Sequence, residues 1–225
     1  ALAARRAVDA GFDAVQLHGA HGYLMGQFLS PLTNHRTDRW GGSSQNRRRF
    51  HLEVINRVRH TIGKNFPLMI KFGAHEDQAG GLSLDEGVET AREMTRQGLD
   101  AIEISTGGRN SIPKEDQDAP EKAYFRDAAA ALKRAVTTPI ILVGGIRSLE
   151  KANEILESGD ADLISMCRPL IREPHLLVRW QHGEVKPATC ISCNKCMPRD
   201  GSPLSCGEDR RLREEETHPI NLPSG

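Results

Sequence analysis

Residues 97–102 read QGLDAI, and the same signature occurs twice more: AGFDAV at 10–15 and SGDADLI at 158–164. In each, a glycine that stops a helix is followed by an aspartate and then a short apolar run. Two further apolar runs follow a proline, in NFPLMIKFG (65–73) and TTPIILVGG (137–145). The five runs, Ala14 to Leu17, Leu68 to Phe72, Ala101 to Ser105, Ile140 to Val143 and Leu163 to Met166, have the length and composition of buried strands. Between them lie amphipathic helical patterns at 46–62, 85–97, 124–136 and 148–157, with ALAARRAVDAG ahead of the first strand. Ser148 and Asp85 are expected N-caps, and Gly98 and Gly159 expected C-terminal stops.

Helix, glycine, aspartate, strand, loop, helix is the grammar of βα units around a parallel sheet. Two architectures share it, an open doubly wound sheet and a (β/α)8 TIM barrel. The barrel is favoured because no G-x-G-x-x-G follows the first strand and the glycine-rich signals fall late, after the fourth and fifth strands. Those would be strands seven and eight of a barrel, its usual phosphate site. On this reading the chain is the C-terminal portion of a barrel, about five of eight βα units. Three N-terminal units would be missing, and the open strand edges are expected to favour aggregation and weaken ligand binding.

Composition narrows the partners. The 225 residues carry 30 basic and 30 acidic side chains, which argues against a nucleic-acid partner held by bulk charge. No stretch approaches the roughly 18 to 20 apolar residues of a membrane span, and the N-terminus is not a secretory signal. Four of the five cysteines crowd into residues 190–206. Without a signal peptide, that clustering favours a reducing compartment, the cytoplasm, and metal ligation over disulfides.

In HGAHGYL (18–24), His18, His21 and Tyr23 fall at the C-terminal end of the first strand, where barrel enzymes keep their reactive groups. Imidazoles can hydrogen-bond an oxygen that gains negative charge, and a phenol can hand over a proton. Metal ligation or a capped loop would use the same residues. The long polar stretch QFLSPLTNHRTDRWGGSSQNRRRF (27–50) holds Asn34, Arg36, Asp38 and the Gly41–Gly42 turn, and is either functional or a solvated loop. Lys71 interrupts an apolar strand and must reach a buried partner or an anionic ligand. Gly144 and Gly145 in VGGIRS (143–148) and Arg168 in SMCRPL (165–170) suit a phosphate-bearing cofactor. Cys167, taken alone, is a small core residue. CISCNKCMPRDGSPLSC (190–206) places Cys190, Cys193, Cys196 and Cys206 in a pattern suited to a [4Fe–4S] cluster, with zinc or bare thiols as alternatives.

Together these segments resemble the old yellow enzyme family of FMN-dependent oxidoreductases, from the first helix to about residue 206. The cysteine tail resembles the branch containing 2,4-dienoyl-CoA reductase and trimethylamine dehydrogenase. The resemblance implies a partial FMN-binding barrel over residues 1–186 and a Cys-rich, iron–sulfur segment over 187–225. It implies that His18 and His21 hold the carbonyl oxygen of an α,β-unsaturated substrate and that Tyr23 protonates the α-carbon. Lys71 would stand near the flavin N1/O2 edge, and Gly144, Gly145, Cys167 and Arg168 at the FMN phosphate. NAD(P)H would be the reductant and a small enone or enoyl compound the substrate, in a homo-oligomer without nucleic-acid or membrane partners. Two other readings are an amine-type dehydrogenase running oxidatively and a non-catalytic metal-binding fragment.

Overall fold

The computed structural model describes residues 1–108, 122–196 and 204–209. Its elements alternate in chain order: α1 (Leu2–Asp9), β1 (Val15–Gly19), α2 (Leu24–Leu29), α3 (Ser44–Ile62), β2 (Leu68–Gly73), α4 (Leu84–Arg96), β3 (Ala101–Ser105), α5 (Arg126–Ala135), β4 (Ile140–Val143), α6 (Leu149–Glu157), β5 (Leu163–Ser165), α7 (Arg168–Arg172) and α8 (Leu176–Gln181). The five strands form one parallel sheet in the order β1-β2-β3-β4-β5. A doubly wound sheet reverses its strand order at a switch point. This sheet never does, which is the winding of consecutive units in a (β/α)8 barrel.

The chain divides into two compact units. The first comprises the described residues within Ala1–Pro113, Ala123–Gly144 and Glu154–Ser165, and contains the sheet. The second comprises those within Lys114–Lys122, Gly145–Asn153 and Met166–Gly225; residues beyond Asp209 of the predicted cysteine tail lie outside the described residues.

One sheet face is dry. Leu68, Ile70, Phe72, Ile102, Ile104, Ile140 and Leu142 are fully buried, as are Ile55, Met94, Leu132 and Ile155 from the helices. The other face carries the alternate residues Gln16, His18, Met69, Lys71, Glu103, Ile141 and Val143, and of these Glu103 alone is buried. Period-two alternation thus separates a hydrophobic face from a chemical one.

Two aspartates of the repeated signature, Asp100 and Asp162, have a defined task. Asp100, just before β3, accepts the backbone N–H of Leu68 at the start of β2 over 2.7 Å, and also binds Arg59. Asp162, just before β5, accepts Ile140 N–H at the start of β4 over 2.8 Å and pairs with Lys133. Each carboxylate satisfies a strand-initial donor on its neighbour and so fixes their register.

Helix ends follow the expected chemistry with one exception. Gly98 and Gly159 adopt left-handed φ of 90° and 75°, and the Ser148 hydroxyl accepts Lys151 N–H. The cap of α4, however, is Ser83, which accepts Glu86 N–H, so Asp85 stands in the first turn instead. There its charge still favours the positive end of the helix. The stretch 27–50 is likewise not one loop. Its start closes α2, its end opens α3 behind the Ser43 cap, and Asn34 ties the middle by donating to Phe28 and Trp40 carbonyls. Among the described residues, no helix is long and apolar enough to cross a membrane.

Candidate active site

Strand β1 delivers His18 to the chemical face, and the turn that follows brings His21 and Tyr23 back beside it. The His18 and His21 rings are 5.0 Å apart edge to face, and the His18 and Tyr23 rings are also 5.0 Å apart. This return needs an unusual backbone. His21 has φ of 58° and Gly22 of 65°, a region costly for residues other than glycine. Two backbone bonds hold it there: His21 N–H donates to Thr106 O over 2.9 Å and Gly22 N–H to Gly107 O over 2.8 Å. Gly73 permits the approach, since a Cβ there would lie 2.3 Å from Gly107 Cα.

The imidazole of His21 is fixed by a 2.7 Å hydrogen bond between Nε2 and the Ser105 hydroxyl at the end of β3. Burial, followed by the neighbouring His18 and Lys71, pushes the His21 pKa down to about 4. His18 is also lowered, first by burial and then by Lys71, with Glu103 opposing. Both rings are therefore neutral at physiological pH and able to donate an N–H.

Lys71 finds its buried partner. It stands opposite His18 on one side and Glu103 on the other, and its ammonium pairs with the Glu103 carboxylate. Gln16 Nε2 donates to the second carboxylate oxygen over 2.8 Å. Burial pushes the Glu103 carboxyl up, but Lys71, Gln16 and Ser165 outweigh it and hold it below the usual carboxylate range. Glu103 and Ser105 were missed in the sequence. The signal for Glu103 was the one used for Lys71, a charge inside an apolar strand; Ser105 gave none.

The residues predicted to hold phosphate lie in both units. In the first, Gly144 follows β4 with φ of 101°, where a Cβ would meet the Phe125 and Tyr124 rings at 3.1–3.2 Å. In the second, Gly145 also has positive φ, 68°. Cys167 is exposed and precedes α7, which corrects its reading as a core residue: it sits at a helix N-cap rather than inside a packed element. Arg168 Nη1 donates to Asn194 Oδ1 over 2.7 Å and to Ser192 O over 3.2 Å.

Those bonds join Arg168 to the cysteine segment. Cys190, Cys193, Cys196 and Cys206 line one pocket of the second unit with Arg168 and Arg172. The backbone turns there through left-handed Ser192 and Asn194. Burial pushes the Cys196 thiol up, whereas the Cys206 thiol, raised by burial, is lowered overall by the Arg172 hydrogen bond at 3.3 Å. Among the described residues, no three His, Cys, Asp or Glu side chains converge as a metal-binding group. Leu176, Trp180 and Ala188 form the small core of this unit.

Comparison with known proteins agrees with the fold. The chain is 39% identical over 194 residues to an NADH oxidase from Thermoanaerobacter brockii, covering 85% of this chain and 30% of that one. A 2-naphthoyl-CoA reductase structure superimposes with a TM-score of 0.78 at 30% identity, over 87% of this chain and 30% of that one. Histamine dehydrogenase from Rhizobium sp. 4-9 gives a TM-score of 0.71 at 28% identity, over 81% and 27%. The chain thus spans about a third of the length of these proteins, and its sheet comprises consecutive units of a TIM barrel. The model of the NADH:flavin oxidoreductase / NADH oxidase family matches residues 1–186, and the chain belongs to that family.

Proposed function

We propose that the protein is an FMN-dependent oxidoreductase that reduces the activated C=C bond of a small α,β-unsaturated carbonyl or enoyl compound at the expense of NAD(P)H. The observation that carries this reading is the neutral His18–His21 pair beside Tyr23, with the Lys71 cation on the same sheet face.

The residues suit a flavin. The face is half-open, Lys71 provides a cation within it, and consecutive left-handed glycines at 144 and 145 free backbone donors for an anion. FMN, when bound, supplies the hydride chemistry. The imidazoles donate N–H groups to the substrate carbonyl oxygen and stabilise the negative charge that gathers there. Being neutral, they do so without competing for a full proton. Tyr23, with its side chain exposed on the same turn, delivers its phenolic proton to the α-carbon. Ser105 and the bonds to Thr106 and Gly107 hold His21 in place, so little rearrangement is needed during reaction. Gly144, Gly145, Cys167 and Arg168 are assigned to the FMN phosphate.

The cysteine segment is proposed as a [4Fe–4S] site, on the ground that its four cysteines line one pocket beside two guanidinium-bearing residues. No step is assigned to it. A reducing, cytoplasmic setting accords with five free cysteines. A second reading, oxidation of an amine, rests on the likeness to histamine dehydrogenase.

The test is the absorption spectrum of anaerobically purified protein before and after dithionite, followed by turnover with NAD(P)H and an enone or with an amine. Flavin bands that bleach, with enone reduction, support the first reading; amine oxidation alone supports the second. Protein that takes up no flavin sinks both. A broad visible absorbance that disappears on replacing Cys196 by Ser assigns the cysteine segment to a cluster.

A further inference from the structure

Beside the two imidazoles, the sheet face contains a second charge that the chemistry above does not use. His18, Lys71 and Glu103 occupy registered positions on β1, β2 and β3, forming one transverse row. The side chains of Lys71 and Glu103 are 22% and 7% exposed, so the pair is largely withdrawn from water. Gln16, two residues before His18 on the same face, braces the carboxylate through Oε2 at 2.8 Å.

A buried ion pair is a poor source of stability, because desolvation offsets much of its attraction and an apolar pair often serves as well. Its retention on a face that also carries the reactive imidazoles therefore calls for a role in charge and position. Lysine is a point charge on four rotatable bonds, and it holds still only when its ammonium is anchored. Glu103 is that anchor. Its negative charge also opposes the field of the lysine at whatever lies over the row.

We propose that Glu103 is the positioning residue for Lys71: it fixes the ammonium on the sheet face beside His18 and offsets part of its charge, setting how strongly the site favours reduced over oxidised flavin. This rests on the flavin reading above. A cation favours the reduced form, which carries more negative charge, and a carboxylate in the same row disfavours it.

The experiment is a redox titration of flavin-loaded wild type and Glu103→Gln, each checked for folding by circular dichroism. The substitution removes the charge but keeps an oxygen for Lys71, and its amide NH2 can donate to the Gln16 amide oxygen once that side chain flips. The expected result is an increase of about tenfold in the preference for reduced flavin, an upward shift of about 30 mV for a two-electron couple. Glu103→Asp, which keeps the charge, is expected to restore most of the wild-type potential. An unchanged or lowered potential in Glu103→Gln, or an equal rise in Glu103→Asp, overturns the role while leaving the flavin reading intact. A wild type without flavin overturns both. Should Glu103→Gln not fold, Lys71→Gln/Glu103→Gln is compared with Lys71→Gln. The double variant is expected to have the higher potential, and equality overturns the role.

Discussion

His21 Nε2 and the Ser105 hydroxyl lie 2.7 Å apart, and that one bond ties the turn after β1 to the last residue of β3. The two residues are 84 positions apart in sequence. Together with the backbone bonds to Thr106 and Gly107, it holds an imidazole on a left-handed residue that would otherwise relax. Replacing Ser105 by Ala is expected to reduce turnover about fivefold, in keeping with a net hydrogen-bond contribution near 1 kcal/mol. The flavin spectrum and the melting temperature should change little. Steady-state kinetics beside a thermal melt would separate this outcome from general destabilisation.

Tyr23→Phe isolates the proton donor. Enone reduction is expected to fall by about 10²- to 10⁴-fold, the usual span for loss of a positioned acid. Reduction of the flavin by NAD(P)H should keep its wild-type rate, because that half-reaction does not need the phenol. Stopped-flow measurement of the two half-reactions checks this, and full retention of enone reduction removes Tyr23 from the assignment.

His51 gives the fold a predictable acid weakness. It is fully buried behind β1, its ring stands edge-on to Phe72, and neither ring nitrogen has a hydrogen-bond partner among the described residues. Burial pushes its pKa down from 6.5 to about 4. The unfolded chain therefore takes up a proton below pH 6.5 that the folded chain resists until about pH 4. Stability is full above pH 6.5 and declines toward pH 4, by on the order of 3 kcal/mol from this group. His21, lowered to a similar value, acts in the same direction. His51→Leu should flatten the decline and add about 1–3 kcal/mol at pH 7 by removing unsatisfied buried polar atoms. Denaturant unfolding of both proteins at pH 7 and pH 4.5 measures it.

Gly73→Ala tests the close approach beneath the site. The new methyl would fall 2.3 Å from Gly107 Cα, against backbone that cannot swing aside. A loss of about 1–3 kcal/mol is expected from overpacking, and with it weaker anchoring of Gly22 on Gly107 O. Unfolding midpoints beside kcat would show both effects, and a neutral outcome on both would remove this contact from the account.

Much of this was legible from residue order. Strand and helix positions followed from apolar runs bounded by Gly, Asp and Pro, because burial of one face imposes a period that local sequence must carry. Asp85 shows the limit: Ser83 and Asp85 are both good capping types, and only the backbone path decides which one meets the free N–H. Cys167 shows another, since an apolar-leaning residue beside a strand can as readily be exposed at a helix start. Lys71 announced a partner without naming it. Glu103 carried the same signal as Lys71, a charge inside an apolar strand, whereas Ser105 and Gln16 stayed silent because their task depends on register between strands separated by whole helices.

Residue order alone carries the βα alternation, the grouping of His18, His21 and Tyr23 after the first strand, and the clustering of cysteines from residue 190. These are local properties, written in periods of two and 3.6 residues and in short spacings. The tertiary structure alone decided the unreversed strand order, the pairing of Lys71 with Glu103, the bond from Ser105 to His21 and the capture of Arg168 by the cysteine segment. Each joins residues distant in the chain, and a long-range contact is fixed by how the packed elements meet, which no single segment encodes.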